Sequence, residues 1–267
     1  MKIGFIGLGN MAQAMIGGIL TKGLYQKQDI IGSCKTEETA KRIREQFGIA
    51  AGTDNRKTAG EAEVIVLAVK PIFLQEVITE IRDLITEKRK EKLVISIAAG
   101  RSIAWIEEMF AVPLRLARCM PNTPALVGEG CTCVCLKEDV TSQDKALVLS
   151  IMESFGKASI LPERLMDAFI GVAGSSPAYV FLFIEAMADA AVAAGMPRKQ
   201  AYEFAAQSVL GSAKLLLETG KHPAELKDMV CSPGGTTIAA VKVLEEKGMR
   251  AAVMDAVEAC VNKAREV

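Results

Sequence analysis

The chain has 267 residues, half of them hydrophobic, and carries 32 Lys plus Arg against 32 Asp plus Glu. This length fits one large α/β domain or two domains of ordinary size, and we expect two. The balanced charge leaves no overall field to attract nucleic acid or an anionic membrane, so we expect neither as a partner. Seven cysteines without a CxxC pair predict reduced thiols in a cytoplasmic protein. A single histidine argues against a metal site or a histidine-based triad.

Up to residue 161, short apolar runs alternate with amphipathic stretches, which is the pattern of a parallel sheet with crossover helices. Helices are expected between the strands, for example over residues 11–22 and 37–47. The charged segment 85–92 is expected to be a solvated helix end or loop. Runs expected to form buried strands are 2–6, 29–32, 64–68, 93–97, 114–118, 131–136 and 158–161.

A glycine-rich motif follows the first predicted strand and opens a helix. It reads Gly7-Leu8-Gly9-Asn10-Met11-Ala12, which is G-x-G-x-x-A. The first glycine permits a tight turn, the second lets the backbone approach a diphosphate, and a small third residue lets the helix pack closely on the strand. Unpaired N–H groups at the helix start then bind the diphosphate. In this context the motif predicts a dinucleotide cofactor, with a plain tight βα turn as the alternative.

The turn after the second strand bears on which dinucleotide is bound. NAD specificity usually needs an acidic residue there, whereas this chain reads Ser33-Cys34-Lys35-Thr36 and has no carboxylate before Glu37. A hydroxyl and a cation suit a 2′-phosphate, so we expect NADPH. NADH stays open, because Lys35 could equally be an ordinary exposed lysine.

Two more loops follow predicted strands and should lie at the carboxyl edge of the sheet, where α/β proteins bind ligands. One is Ala68-Val69-Lys70-Pro71, in which the proline suits the first position of a helix. For Lys70 a simple strand-to-helix turn is the alternative. The other is MPNTP at 120–124, in which Asn122 can both donate and accept hydrogen bonds to a carboxamide or a ribose.

After Pro162 no strand pattern appears and Ala-rich helical stretches follow, which predicts two domains, 1–162 and 163–267. Residues 169–196 approach the length of a membrane span, but one proline and two carboxylates within them indicate a packed helix. So much Ala and Val exceeds what a thin helical domain buries, so we expect a homo-oligomer with interleaved helices. The expected helices are 164–172, 177–194, 198–218, 223–230, 237–247 and 249–265.

A second loop suited to anions precedes the helix expected from 237. In Ser232-Pro233-Gly234-Gly235-Thr236-Thr237 the glycine pair exposes backbone N–H groups beside two threonine hydroxyls, which suits a small carboxylate. Helix capping by these threonines is the plainer alternative. The single histidine, His222, precedes Pro223 at a helix start, so we expect it to be structural.

These motifs together resemble the pyrroline-5-carboxylate reductase family over essentially the whole chain. Several motifs in the same order are far more specific than any one of them. Ser176 stands where the family usually has glycine, and the turn at 33–36 lacks the arginine that many members have. The resemblance rests on GLGNMA at 7–12, AVKP at 68–71, MPNTP at 120–124, the stretch 163–179 ending in GSSPAY, and DMVCSPGGTT at 228–237.

The resemblance implies reduction of 1-pyrroline-5-carboxylate to L-proline by NADPH, the last step of proline biosynthesis. It also implies a Rossmann-type doubly wound sheet followed by an all-helical domain that forms a homodimer, which can assemble further. Substrate contacts would be Glu163, Gly235, Thr236 and Thr237, although Glu163 could equally be a surface carboxylate near a hinge. Implied cofactor contacts are Gly7, Leu8, Gly9, Asn10, Met11, Ala12, Ser33, Lys35, Asn55, Ala68, Val69, Lys70, Pro71, Ile97, Ala98, Ala99 and Asn122.

The implied chemistry is compatible with a chain that has one histidine. Hydride addition to a protonated cyclic imine gives an amine that water can protonate, so catalysis would rest on proximity and orientation. Thr237 is then the expected catalytic-site residue, with its hydroxyl on the ring nitrogen. A β-hydroxyacid dehydrogenase would need a catalytic lysine in residues 175–194, which contain none. A non-catalytic NADP-binding paralogue and a reductase of a related cyclic imine are the remaining alternatives.

Overall fold

The computed structural model describes residues 1–137 and 140–266, which form two compact units. The first unit comprises Met1–Gly174 together with the end of the chain from Val261, and the second comprises Ser175–Cys260. Residues 163–174 therefore pack with the first unit. The domain division expected after Pro162 stays a prediction.

The first unit is an α/β fold built on one eight-stranded sheet. Its strands are β1 (Ile3–Ile6), β2 (Ile30–Ser33), β3 (Ala50–Gly52), β4 (Val64–Leu67), β5 (Leu93–Ser96), β6 (Arg115–Met120), β7 (Gly130–Leu136) and β8 (Gly156–Ile160). Its helices are α1 (Asn10–Thr21), α2 (Glu37–Phe47), α3 (Asn55–Glu61), α4 (Pro71–Glu87), α5 (Ile103–Phe110), α6 (Ser142–Glu153) and α7 (Met166–Phe169). All seven expected strands form, and β3 is an additional one.

The strand order is β3-β2-β1-β4-β5-β6-β7-β8. The first six strands in sequence are parallel, and their order reverses at β1, as in a Rossmann-type doubly wound sheet. The all-parallel expectation is wrong for β7, which pairs antiparallel with β6, and β8 follows the direction of β7. Only a short loop with a 3₁₀ turn at Thr123–Val127 joins β6 to β7. Because a parallel pair needs a longer crossover, this loop returns the chain in the opposite direction.

Helices cover both faces of the sheet, so the central strands are buried on both sides. The four residues of β1, of β4 and of β5 are all buried, which explains their continuous apolar runs. One face packs with α1 and α6 through residues such as Ile16 and Ile151, and the other packs with α4 and α5 through residues such as Ile78 and Ile106. The sheet is therefore a rigid platform for the loops at its carboxyl edge.

The segment expected as one helix over 164–172 has a different structure. It comprises a 3₁₀ turn at Glu163–Leu165, the short α7, and a π-helical turn at Ile170–Gly174. The side-chain amide of Asn122 donates to the carbonyl of Ala173 at 2.9 Å, which stabilises the wider turn. The single-helix prediction is therefore wrong here.

The second unit is helical, as expected. It contains α8 (Ser176–Ala193), α9 (Arg198–Thr219), α10 (Pro223–Val230) and α11 (Thr236–Glu246), and α12 (Met249–Arg265) begins in it. Ser176 is the first residue of α8 and is followed by Pro177 in the first turn, so a serine is accommodated at the position where the family usually has glycine. The helical segment Glu163–Ala193 is long and apolar enough to cross a membrane by length and composition, and little of its most apolar part is buried.

Candidate active site

The loop between β1 and α1 requires glycine at its first position. Gly7 has a φ of 98°, and its N–H donates to the carbonyl of Ser33 at 2.8 Å. A Cβ atom on Gly7 would lie 2.6 Å from the carbonyl oxygen of Ala68, far inside van der Waals contact. The tight turn predicted from the motif is confirmed, and it joins the ends of β1, β2 and β4 at one point.

The first turn of α1 is open to an anion. Its N-cap is Gly9, which offers no side-chain cap, and no acidic residue lies in the first turn. A Cβ atom on Gly9 would meet no described protein atom within 4 Å, so the space before the helix is free. Free N–H groups and the positive end of a helix dipole at such a space suit a diphosphate.

A cleft of about 540 Å³ extends from this helix start along the carboxyl edge of the sheet. It is bounded by the loops after β1, β2 and β4 and by faces of α2 and α4. The sequence-predicted cofactor residues that line it are Gly7, Leu8, Gly9, Asn10, Lys35, Asn55, Ala68, Val69 and Lys70. These residues come from four separate stretches of sequence and line one cavity whose volume is typical of a ligand site.

Other predicted cofactor residues support the cleft without lining it. Ser33 is fully buried, and its carbonyl accepts from the N–H of Gly7, while Ala12 lies on the buried face of α1. Asn122 is buried too, and both polar atoms of its side-chain amide are hydrogen-bonded. Its Nδ2 donates to the carbonyl of Ala173, and its Oδ1 accepts from the N–H of Cys131 at 2.8 Å. Met11 packs on the core, Pro71 begins α4, and Ile97, Ala98 and Ala99 follow β5. Direct cofactor contacts from these side chains stay predictions.

Sequence reasoning missed several residues that line the cleft. They are Gln13 on α1, Cys34 and Thr36 in the turn after β2, Thr39 and Arg42 on α2, Thr53 after β3, and Phe73, Glu76, Val77 and Glu80 on α4. Those on each helix recur at intervals of three or four residues and so share a face. That spacing was readable in the sequence, but the direction in which the face points depends on how the helix packs against the sheet.

The cleft carries cations at the turn after β2. The Lys35 ammonium lies over the ring of Phe73, 5.5 Å from its centroid. Arg42, one turn into α2, donates to the side chain of Gln13 at 3.3 Å. Gln13 in turn donates to the carbonyl of Leu8 at 2.8 Å, which links the arginine to the glycine loop. Arg42 thus supplies a guanidinium to this end of the cleft although the turn itself contains no arginine.

Cys34 lies in the same turn and is half-buried. Its thiol donates to the carbonyl of Thr36 at 3.4 Å, and burial raises the pKa of the thiol. A raised pKa leaves little thiolate, which is the reactive form. Cys34 is therefore a lining residue of the cleft whose thiol is mainly protonated.

The loop 232–237 forms a second open helix start. Gly234 has a φ of 69°, the N–H of Gly235 donates to the carbonyl of Ser232 at 3.0 Å, and α11 begins at Thr236. Gly235 is the N-cap, and no side chain caps the helix. The half-buried Thr237 makes no side-chain hydrogen bond within the described chain, so the structure does not favour the capping alternative for this threonine.

Glu163 has two partners in the first unit. Its Oε1 atom accepts from the backbone N–H of Ile103 at 2.9 Å and forms an ion pair with the buried Arg118 at 2.8 Å. These bonds tie the segment after β8 to β6 and to the start of α5, as a structural carboxylate would. A substrate contact by Glu163 stays a prediction.

His222 caps α10 by accepting from the N–H of Ala224 at 3.2 Å, which confirms its structural role.

Comparison with known proteins identifies the relatives of this chain. It is 49% identical to the pyrroline-5-carboxylate reductase of Escherichia coli over 266 residues, covering 100% of this chain and 98% of that one. The chain belongs to the pyrroline-5-carboxylate reductase family. The family model for pyrroline-5-carboxylate reductase dimerisation matches residues 163–267, and the one described as NADP oxidoreductase coenzyme F420-dependent matches residues 2–100.

Solved structures of the family share the whole fold. A pyrroline-5-carboxylate reductase from Coxiella burnetii is similar with a TM-score of 0.92 and 37% identity, over 99% of this chain and 97% of that one. The pyrroline carboxylate reductase of Plasmodium falciparum, solved with NADP bound, has a TM-score of 0.89 and 33% identity, over 100% and 97%. The dimerisation family of residues 163–267 identifies the protein as a homo-oligomer that acts on a small molecule.

Proposed function

We propose that this chain reduces 1-pyrroline-5-carboxylate to L-proline with NADPH. The observation that carries the proposal is a pair of open helix starts, one at Gly9 and one at Gly235, each without a side-chain cap. The first suits the diphosphate of a dinucleotide and the second suits a small carboxylate. Relatives at up to 49% identity over the full chain are pyrroline-5-carboxylate reductases, and a relative of the same fold is solved with NADP bound.

The residues of the first cleft fit the cofactor. The glycine loop leaves free N–H groups at α1 and free space beside Gly9 for the diphosphate. Lys35 and Arg42 provide two cations beyond the end of β2, which is where the adenosine ribose lies in Rossmann-type sheets. Two cations suit a 2′-phosphate, so we expect NADPH to be used in preference to NADH.

The second open helix start would hold the substrate. Backbone N–H groups at Gly235 and Thr236 would bind the carboxylate, and the Thr237 hydroxyl would hydrogen-bond the ring nitrogen. This side chain is available because it does not cap α11. When bound, NADPH would supply a hydride to the carbon of the protonated C=N bond, whose π electrons would become the nitrogen lone pair. Because the resulting amine takes a proton from water, the site needs to position its groups and does not need a protein acid.

The oligomer is proposed to be a dimer formed through the C-terminal helices. Large apolar side chains on these helices are exposed in the single chain, among them Phe181, Leu182, Leu210, Leu217 and Met254. Large exposed apolar patches commonly mark interfaces between protein chains. A second copy of the chain would cover this surface and would also cover the apolar helix that ends at Ala193.

We propose a cytoplasmic location for this biosynthetic enzyme.

The test is an assay of the purified protein with 1-pyrroline-5-carboxylate and either NADPH or NADH, in which the decrease in nicotinamide absorbance is followed. We expect rapid oxidation of NADPH that requires the imine, and slower oxidation of NADH. No oxidation with either cofactor, combined with normal NADPH binding, would favour the non-catalytic paralogue.

A further inference from the structure

We propose that the carboxylate of Glu76 accepts a hydrogen bond from the exocyclic amine of the cofactor's adenine, so that the cleft selects adenine over bases that lack this amine. The inference rests on the proposed function, because it takes the cleft to hold an adenine dinucleotide. It assigns Glu76 as a specificity residue of the cofactor site.

The two walls of the cleft beyond the diphosphate position differ in charge. The wall formed by the turn after β2 and by α2 presents Lys35 and Arg42. The opposite wall, on α4, presents Glu76 and Glu80. An anionic phosphate is attracted to the first wall and repelled by the second, so only a neutral part of the cofactor that can donate hydrogen bonds suits the second wall.

The α4 wall has the surface that a purine needs. Phe73, Glu76, Val77 and Glu80 line the cleft from consecutive turns of α4 and therefore share one helix face. The phenyl ring and the valine offer apolar contact to the flat face of a base, and base stacking on aromatic side chains is favourable. The Lys35 ammonium lies over the Phe73 ring, so this ring face points toward the opposite wall. Pairing of Lys35 with the 2′-phosphate would uncover the face for the base. Glu76 follows Phe73 by three residues and lines the cleft from the same face of α4, so a base stacked on Phe73 could turn its edge toward this carboxylate.

The two carboxylates of the α4 wall have different partners. Glu80 accepts from the side-chain amide of Asn55 at 2.7 Å, so it orients that amide, a predicted cofactor contact. Glu76 is exposed and has no hydrogen bond or ion pair with the described residues. An ionised carboxylate only accepts hydrogen bonds. On neutral adenine the N–H donors belong to the exocyclic amine, so the free acceptor of the wall and the donor of the base are complementary.

The test measures binding by calorimetry, so that it does not depend on turnover. The probes are NADP⁺ and its purine analogue, in which hydrogen replaces the amine. We expect the wild-type protein to bind NADP⁺ about tenfold more tightly than the analogue, since a hydrogen bond to a charged group has about this effect. Glu76→Ala should bind both probes equally, and the matched variant Glu87→Ala, at the far end of α4, should keep the tenfold difference.

The ratio of the two affinities isolates the contact, because any general effect of the lost charge acts on both probes. Equal binding of both probes by the wild-type protein, or an unchanged ratio in Glu76→Ala, would overturn the inference while the proposed function stands. Failure of every variant and of the wild-type protein to bind NADP⁺ would instead overturn the proposed function and this inference with it.

Discussion

The two glycines of the loop after β1 differ in what they require. Gly7 has a positive φ and no room for a Cβ atom, because the carbonyl of Ala68 lies against it. Gly9 has an ordinary φ of −73° and free space around the position of a Cβ atom. Gly7 is therefore required by the backbone conformation of the loop, whereas we propose that Gly9 leaves room for the diphosphate of the cofactor.

Substitution of each glycine by alanine should separate these roles. Gly7→Ala should lower the free energy of unfolding by about 2 kcal/mol or more, since it combines backbone strain with a steric clash. Gly9→Ala should leave stability almost unchanged and weaken NADPH binding at least about tenfold, because its methyl group would occupy space at the diphosphate position. Urea unfolding and cofactor titration of both variants measure the two effects. A Gly9→Ala protein that binds NADPH normally would refute the role assigned to α1.

Thr237 is the residue on which the proposed chemistry depends most. Thr237→Ala should lower kcat/KM by on the order of tenfold to a hundredfold, because a hydrogen bond to the ring nitrogen is lost. Thr237→Ser keeps the hydroxyl and should retain most of the activity. Stability should not fall, since Thr237 does not cap α11. If the alanine variant instead kept full activity and lost about 1 kcal/mol of stability, the residue would be a helix cap.

Most helices and strands were predicted from buried apolar runs and from glycines at turns and helix ends. The strands beginning near residues 3, 64 and 93 are fully buried, so their sequences are continuously apolar and easy to recognise. Strand β3 escaped prediction because it has three residues, Ala50–Gly52, with no buried apolar pattern. The antiparallel direction of β7 was not predicted either, because strand direction depends on the connecting loop and not on the composition of the strand.

Charged residues were the hardest to place from sequence. Segment 85–92 was expected to be solvated, yet Lys92 is buried and its ammonium donates to the carbonyls of Ala59 and Ala62, each at 2.7 Å. These carbonyls close the last turn of α3, so the lysine caps a helix that lies 30 residues earlier in the chain. Arg42 likewise reaches the cofactor cleft from the middle of α2. Such contacts depend on tertiary packing, which no local pattern encodes.

The ion pair between Arg115 on β6 and Asp144 on α6 makes the stability of the protein depend on pH. Asp144 is buried, and both its carboxylate oxygens accept from Arg115, with 2.9 Å from Nε to Oδ2. Burial raises the pKa of Asp144, but hydrogen bonds from Arg115 and Thr141 lower it by more, so the pKa in the folded protein lies below the ordinary 3.8. The resulting stabilisation is complete above the ordinary value and is lost as the pH falls through the folded-state value.

Asp144→Asn should therefore lower the free energy of unfolding by on the order of 1–2 kcal/mol near neutral pH, less than for a fully buried pair, because the Arg115 side chain is 31% exposed. The difference from the wild-type protein should shrink below pH 3.8 as Asp144 becomes protonated. The exposed pair of Arg56 with Asp83 provides the control, and Asp83→Asn should change stability little. Denaturant unfolding over a pH series checks both. A difference that stays constant with pH would contradict the ion-pair account.

At the scale of the whole molecule, the helical unit requires a second copy. Phe181 is 65% exposed and Leu217 is 83% exposed in the single chain. Replacing both with lysine should convert the oligomer into monomers, since buried unpaired charge is strongly unfavourable at an interface. Sedimentation of the double variant measures this, with Leu24→Lys on the first unit as a control that should remain oligomeric. A wild-type protein that sediments as a monomer at micromolar concentration would remove the proposed dimer.

We propose that this protein transfers a hydride from NADPH to the imine carbon of 1-pyrroline-5-carboxylate. The most direct test supplies NADPH that carries deuterium at both C4 positions and analyses the product by mass spectrometry. We predict proline that is one mass unit heavier, with the deuterium bonded to C5. Unlabelled proline, or consumption of the cofactor without formation of proline, would contradict the claim.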